Sequence, residues 1–171
     1  HYSTLYLALE KERANTEPEW LHSYRQTAFS RLERLGFQTK NNESWHTTNI
    51  TPWINTPFQL NGRTKTSLTK NDLLSYQLDA TEKIILTWVN GHFISDLSSI
   101  PKMANDVILM PLSEAYLKHG ELIQKNLQTN MHQDSAFTSL NDSFASDGLF
   151  LYIPKGVKIE KPIEVLFINE G

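Results

Sequence analysis

The chain has 171 residues, of which 39% are hydrophobic and 20% charged, and its formal net charge is −3. This balance is typical of a globular protein, and it argues against disorder and against a basic surface that binds nucleic acid or an anionic membrane. No apolar run approaches the ~20 residues that a membrane-spanning helix needs. The sequence contains no cysteine, so disulfides and thiolate-bound metal sites are excluded within it.

Two helices are predicted at the start of the chain. Residues 3–13 have the pattern of a short helix with Leu5, Leu7, Ala8 and Leu9 on its apolar side. A second helix follows, since Thr16 can cap its first turn, Glu19 can complete a capping box, and Gly36 can end it. Its apolar stripe consists of Trp20, Tyr24, Ala28, Leu32 and Leu35. We expect the two helices to pack as a hairpin.

An irregular segment, residues 37–60, combines several aromatic residues with polar ones. Trp45 and Trp53 lie on its loops, where indole rings can contact a carbohydrate or a peptide. A β-rich binding module that uses these two residues is therefore an alternative function. Residues 61–82 are polar, and we expect them to be flexible.

A β-hairpin is predicted next. Residues 83–89 form an apolar strand pattern, and Asn90-Gly91 favours a type I′ turn because both of its central residues adopt positive φ. Residues 107–110 predict another buried strand. Short helices are predicted over residues 113–119, 121–127 and 134–145.

The last part of the chain, residues 147–171, has the pattern of a short β-sheet. Two runs, 149–153 and 157–167, are joined by a Pro-Lys-Gly corner and are apolar at almost every odd position. Successive side chains of a strand point to opposite faces, so we expect Glu160 and Glu164 on a solvated outer face. Few residues follow these strands, and we therefore expect the sequence to be the N-terminal part of a longer protein.

No residue pattern typical of an enzyme is present. The glycines are scattered, without a phosphate-binding spacing, and no nucleophile elbow occurs. The histidines do not have the spacing of paired metal ligands on a helix. They are His1, His22, His46, His92, His119 and His132. We assign no catalytic, cofactor-binding or metal-binding residue, although a site assembled from distant residues would not be visible in the sequence.

Five short patterns near the end of the chain resemble, in order and spacing, the entry to the β-helix core of the SufB/SufD family of iron–sulfur cluster assembly proteins. They are Phe137, Leu140-Asn141, Asp147-Gly148, Ile153 to Val157, and Pro162-Ile163. The resemblance depends on their order, because no single pattern is specific.

Upstream residues also resemble this family. Residues 89–93 match its Val-Asn-Gly-x-Phe hairpin, and Trp45 lies where the family has a tryptophan. Ser44, His46 and Thr47 depart from the acidic, basic and aromatic residues that are common around that tryptophan. The upstream order is closer to the SufD branch than to the SufB branch.

The resemblance implies an α+β fold. An N-terminal helical region with a small antiparallel hairpin would lead into the first rungs of a right-handed parallel β-helix. On this basis we divide the chain into four segments. They are a helical hairpin with an aromatic loop (1–60), a flexible segment (61–82), a hairpin with short helices (83–146) and the first β-helix rungs (147–171).

The resemblance also implies a function. The protein would be a cytoplasmic, non-catalytic scaffold subunit that works with SufB and the ATPase SufC. The whole complex would handle the iron–sulfur cluster, and this piece would hold no cofactor and bind neither nucleic acid nor membrane. An uncovered end of the β-helix could lead to self-association.

Overall fold

The computed structural model describes residues 1–38, 43–60, 65–79, 82–129 and 135–170. The helices in this part of the chain are α1 (Tyr2–Arg13), α2 (Glu19–Leu35), α3 (Thr51–Ile54), α4 (Leu112–Lys118), α5 (Gly120–Thr129) and α6 (Ala136–Phe144). The strands are β1 (Ile84–Val89), β2 (His92–Phe93), β3 (Ile108–Pro111), β4 (Leu149–Tyr152) and β5 (Ile163–Ile168). The chain forms two units: unit 1 contains His1–Leu60 and Tyr116–Ala145, and unit 2 contains Asn61–Ala115 and Ser146–Gly171.

Unit 1 is built on the packing of α2 against α6, with α1 beside them. The rings of Tyr6 and Phe29 stack with centroids 4.1 Å apart, and Leu32 and Ala136 complete this core. The predicted helices are present, and Leu9 is buried as predicted, but Leu7 and Ala8 are exposed. The reason is that α1 buries Tyr6 and Leu9, and a residue one position after Tyr6 is rotated about 100° around the helix.

The start of α2 differs from the predicted capping box. Pro18 is the N-cap residue and supplies no side-chain cap, while Thr16 donates to the carbonyl of Arg13 instead. The end of the helix is as predicted, because Gly36 has a φ of 64° and donates its N–H to Leu32. α6 begins one residue after Ser135, whose hydroxyl accepts from the N–H of Thr138.

Unit 2 contains two small sheets. In the first, the strand order is β2-β1-β5, and β1 pairs with β5 in parallel from Ile84↔Ile163 to Val89↔Ile168. The predicted hairpin between β1 and β2 is confirmed, with positive φ at Asn90 and Gly91. In the second sheet, β3 pairs with β4 in an antiparallel direction.

The first sheet is covered on both faces. One face packs against apolar side chains of the second sheet. This cluster contains Ile84, Leu86, Trp88, Leu109, Leu149, Ile163 and Val165. The other face packs against Leu73 and Leu68 of the segment 65–79, and against Leu97. Whether residues 61–82 are flexible stays a prediction, and residues 61–64 and 80–81 lie outside the described part.

The prediction for Glu164 is wrong, and the two-sided cover explains why. Its side chain is only 6% exposed, with Oε1 accepting from the N–H of Leu78 at 2.6 Å. Its Oε2 lies 3.2 Å from Nζ of Lys83, an ion pair whose alignment is too poor for a hydrogen bond. Glu160 is exposed, as predicted.

The α+β class and the N-terminal helices are confirmed. The described strands form two small open sheets, so the right-handed parallel β-helix stays a prediction. Within the described ranges, no helix has the length and apolar character that crossing a bilayer would require.

Candidate functional site

The histidines and carboxylates do not converge on a metal site in the described part of the chain. No three of their side chains come close enough together there to hold an ion. His46 Nδ1 lies 2.6 Å from the carbonyl of Glu43, a contact within one turn. His132 lies outside the described residues. The assignment of no metal-binding residue stays a prediction.

Trp45 and Trp53 belong to an aromatic cluster, which we define as Phe37, Trp45, Trp53, Phe58 and Phe137. Trp45 stacks on Phe137 with centroids 5.3 Å apart and planes at 23°. Trp53 contacts Phe137 at 5.4 Å and Phe37 at 5.7 Å, and it remains 39% exposed. Because a ring face of Trp45 is already used inside the protein, the geometry does not favour a ligand platform there.

A buried ionic network joins α2 to the end of α6. Arg25 is 3% exposed and donates to both carboxylate oxygens of Glu17, at 2.9 and 3.1 Å. It also donates to the carbonyls of Ala145 and Asp142. Unpaired carbonyls at a helix end carry partial negative charge, so a guanidinium is a favourable partner for them.

Arg13 extends this network from α1. It donates to the carbonyl of Phe144 at 3.2 Å and lies 3.5 Å from Glu17. Burial lowers the pKa of Arg13, and the nearby charge of Arg25 lowers it further. The sequence patterns do not indicate this network. The available signal was a charged residue, Arg25, placed four residues after Leu21 and three before Ala28 on the buried side of the helix.

Asp147 is the centre of a second polar network, in unit 2. Its Oδ2 accepts from the indole Nε1 of Trp88 at 3.0 Å. Its Oδ1 accepts from the N–H groups of Ser113 and Gly148, both at 2.8 Å. Asp147-Gly148 is one of the five short patterns identified in the sequence. In the structure, the aspartate is an acceptor shared by three donors.

The outer edge of β5 is the best candidate for an interaction site. β5 is the last strand of the order β2-β1-β5, so one side of it has no strand partner among the described residues. Phe167 on this strand is 70% exposed and stacks on Trp88 with centroids 5.3 Å apart. Leu151, Tyr152 and Ile153, at the end of β4, are exposed as well. An open edge with exposed apolar side chains can accept a further strand.

The family model described as the SufBD protein N-terminal region matches residues 1–165. An iron–sulfur cluster assembly SufBD family protein of Synechocystis sp. is 42% identical over 73 residues, which are 41% of this chain and 15% of that protein. The iron–sulfur cluster assembly protein SufD of Bacillus subtilis is 24% identical over 163 residues, which are 91% of this chain and 36% of that protein.

The chain therefore spans well under half the length of either of these relatives. The family match, by contrast, covers nearly all of the chain. The chain thus belongs to the SufBD family of iron–sulfur cluster assembly proteins, in which it corresponds to the N-terminal region.

Proposed function

We propose that this chain is the N-terminal part of a SufD-type, non-catalytic scaffold subunit for iron–sulfur cluster assembly. The family match over residues 1–165 is the observation that carries the proposal. The alignment with SufD of B. subtilis, which covers 91% of the chain, supports the SufD branch.

The architectural part of the proposal concerns the parallel pairing of β1 and β5. Similar side chains lie opposite one another along this pair, including Ile84↔Ile163, Leu86↔Val165 and Trp88↔Phe167. Stacking of like residues in parallel register is how a β-solenoid builds its core. We propose that β5 continues this stack, and that the next strand of the longer protein pairs with its open edge as a rung of a right-handed parallel β-helix.

The scaffold role agrees with the chemistry of the chain. It has no cysteine to bind a cluster, and the buried side chains of Arg25 and Glu164 are engaged with Glu17, Lys83 and backbone groups. In this proposal the chain holds no cofactor, and the cluster belongs to the complex as a whole. The proposed partners of the longer protein are SufB and the ATPase SufC.

The binding-module alternative would require open aromatic faces at Trp45 and Trp53. The stacking of Trp45 on Phe137 speaks against it, and no observation favours a carbohydrate or peptide there.

Affinity purification tests the proposed function. The longer protein that contains this chain, tagged and expressed in its own cells, should recover a SufB-type subunit and a SufC-type ATPase in stoichiometric amounts. Its loss should lower the activity of iron–sulfur enzymes in those cells. Recovery of neither subunit, with normal iron–sulfur enzyme activity in the deletion strain, would refute the proposal.

A further inference from the structure

Three helices of unit 1 enclose a small polar cavity. Its lining comes from α1, α2 and α6. The polar residues that line it are Tyr6, Glu10, Arg13, His22, Arg25 and Ser143. The cavity measures about 10 Å³, which is close to the space that one water molecule needs and too small for an organic ligand or a phosphate.

His22, which lines the cavity, carries a polar atom without a partner among the described residues. His22 Nε2 is buried and has no hydrogen-bond partner in the described part of the chain. A buried polar atom without a partner lowers the stability of the folded protein by about 1–3 kcal/mol, and such atoms are therefore rare. A partner for His22 inside the cavity would remove this penalty.

Two other groups around the cavity can accept hydrogen bonds. Glu10 already accepts from the hydroxyl of Tyr6 at 3.3 Å, and a carboxylate has further lone pairs. Ser143 Oγ donates to the carbonyl of Ser139 at 2.8 Å, so its lone pairs are left to accept.

The two guanidinium groups are already engaged elsewhere. Arg25 is paired with Glu17 and with the carbonyls at the end of α6, and Arg13 with Phe144 and Glu17. The guanidinium groups of Arg13 and Arg25 beside the cavity disfavour a metal cation. A halide would need a guanidinium that is not already neutralised by Glu17.

We propose that the cavity is a binding site for a single structural water molecule. The water accepts a hydrogen bond from His22 Nε2–H and donates its two protons to Glu10 and Ser143. It thereby connects α2 to α1 and to α6 beside the Arg25 network. This arrangement fixes the neutral imidazole of His22 as the tautomer with its proton on Nε2.

A crystal structure of the chain, with a second crystal soaked in bromide, tests the site directly. We expect one density peak about 2.7–3.2 Å from His22 Nε2, without an anomalous bromide signal. Absence of a peak in the cavity would overturn the proposal. So would a bromide signal there, because the site would then bind anions.

Nitrogen NMR of the imidazole rings gives an independent readout in solution. We expect the His22 signals of the tautomer protonated on Nε2, and a cross-relaxation contact between that proton and a long-lived water. The opposite tautomer would contradict the proposed hydrogen-bond directions. In the variant His46→Phe, which changes an exposed histidine, this water contact should remain.

Discussion

The indole Nε1 of Trp88 donates a hydrogen bond of 3.0 Å to the carboxylate of Asp147. Trp88 is buried in β1, whereas Asp147 lies two residues before β4 begins. The same carboxylate accepts from Ser113 and Gly148. One side chain thus satisfies three donors that belong to three different parts of unit 2.

Replacement of Asp147 by alanine should therefore destabilise the protein. The change leaves the buried indole N–H without its acceptor and removes two further charge-assisted bonds, so we expect the free energy of unfolding to fall by about 3 kcal/mol. Urea denaturation measures this difference. The control is Asp96→Ala, an exposed aspartate, which should change stability by less than about 0.5 kcal/mol. Equal effects of the two substitutions would contradict the role of Asp147.

The single variant Arg25→Met should lower the free energy of unfolding more than the double variant in which Glu17 and Arg25 are both replaced by methionine. The single variant leaves Glu17 without its bidentate partner and removes the guanidinium donor to the carbonyls of Asp142 and Ala145. The loss should be about 3–5 kcal/mol. The double variant leaves no carboxylate unpaired, and part of this loss should be regained. A double-mutant cycle by denaturation measures the coupling, with Arg34→Met as an exposed control on the same helix. Additive effects of the two substitutions would show that the pair is not coupled.

Glu164 and Glu160 form a matched pair of acidic residues. Glu164→Ala removes the acceptor for the N–H of Leu78 and the partner of Lys83, and we expect a loss of about 1–3 kcal/mol in the free energy of unfolding. Glu160→Ala changes an exposed side chain and should stay within about 0.5 kcal/mol of the parent. A larger loss for Glu160→Ala than for Glu164→Ala would contradict the buried role of Glu164 and would favour the solvated face that the sequence predicts for both residues.

The sequence is most informative for elements that depend on residues close together in the chain. The Asn90-Gly91 turn, the Gly36 helix end and strand β1 depend on neighbours in the chain, and all three are confirmed. Local conformational preferences are sufficient for such elements.

The differences arise where a distant segment decides the environment. The alternating pattern of the sequence places Glu164 on an outer, solvated face. In the structure it is buried because Leu78 and Lys83 pack beside it. Trp45 has the pattern of an open loop residue, and Phe137 of α6 covers it. Periodicity describes the faces of one element, and it does not identify the segment that packs against each face.

Tyr6 should make stability depend on pH in the alkaline range. Burial, and then the charge of Glu10, raise the pKa of its hydroxyl from 10.0 to about 12. Because the folded pKa is above the unfolded one, the neutral phenol contributes stability that is complete below pH 10.0 and is lost as the pH rises towards about 12. Tyr6→Phe should flatten the decline of the free energy of unfolding in this window. The control Tyr76→Phe changes an exposed phenol, and a flattening of equal size there would contradict the assignment.

Phe167 should determine whether the isolated 171-residue chain self-associates. It is 70% exposed on the open edge of β5, and a lysine on an edge strand opposes pairing with another chain. Light scattering should show association of the parent chain and a monomer for Phe167→Lys. Tyr76→Lys is the control, because Tyr76 is 71% exposed in the same unit but is not part of a strand. A parent chain that stays monomeric at high concentration would contradict this prediction.

The central claim is that β5 begins a stack of parallel strands in the longer protein. A structure of that protein, determined with its partner subunits, measures this most directly. We predict a strand hydrogen-bonded in parallel to the outer edge of β5, with an apolar side chain covering Phe167 and the rungs of a β-helix following. A β5 edge that remains unpaired, with Phe167 still exposed to solvent, would contradict the account.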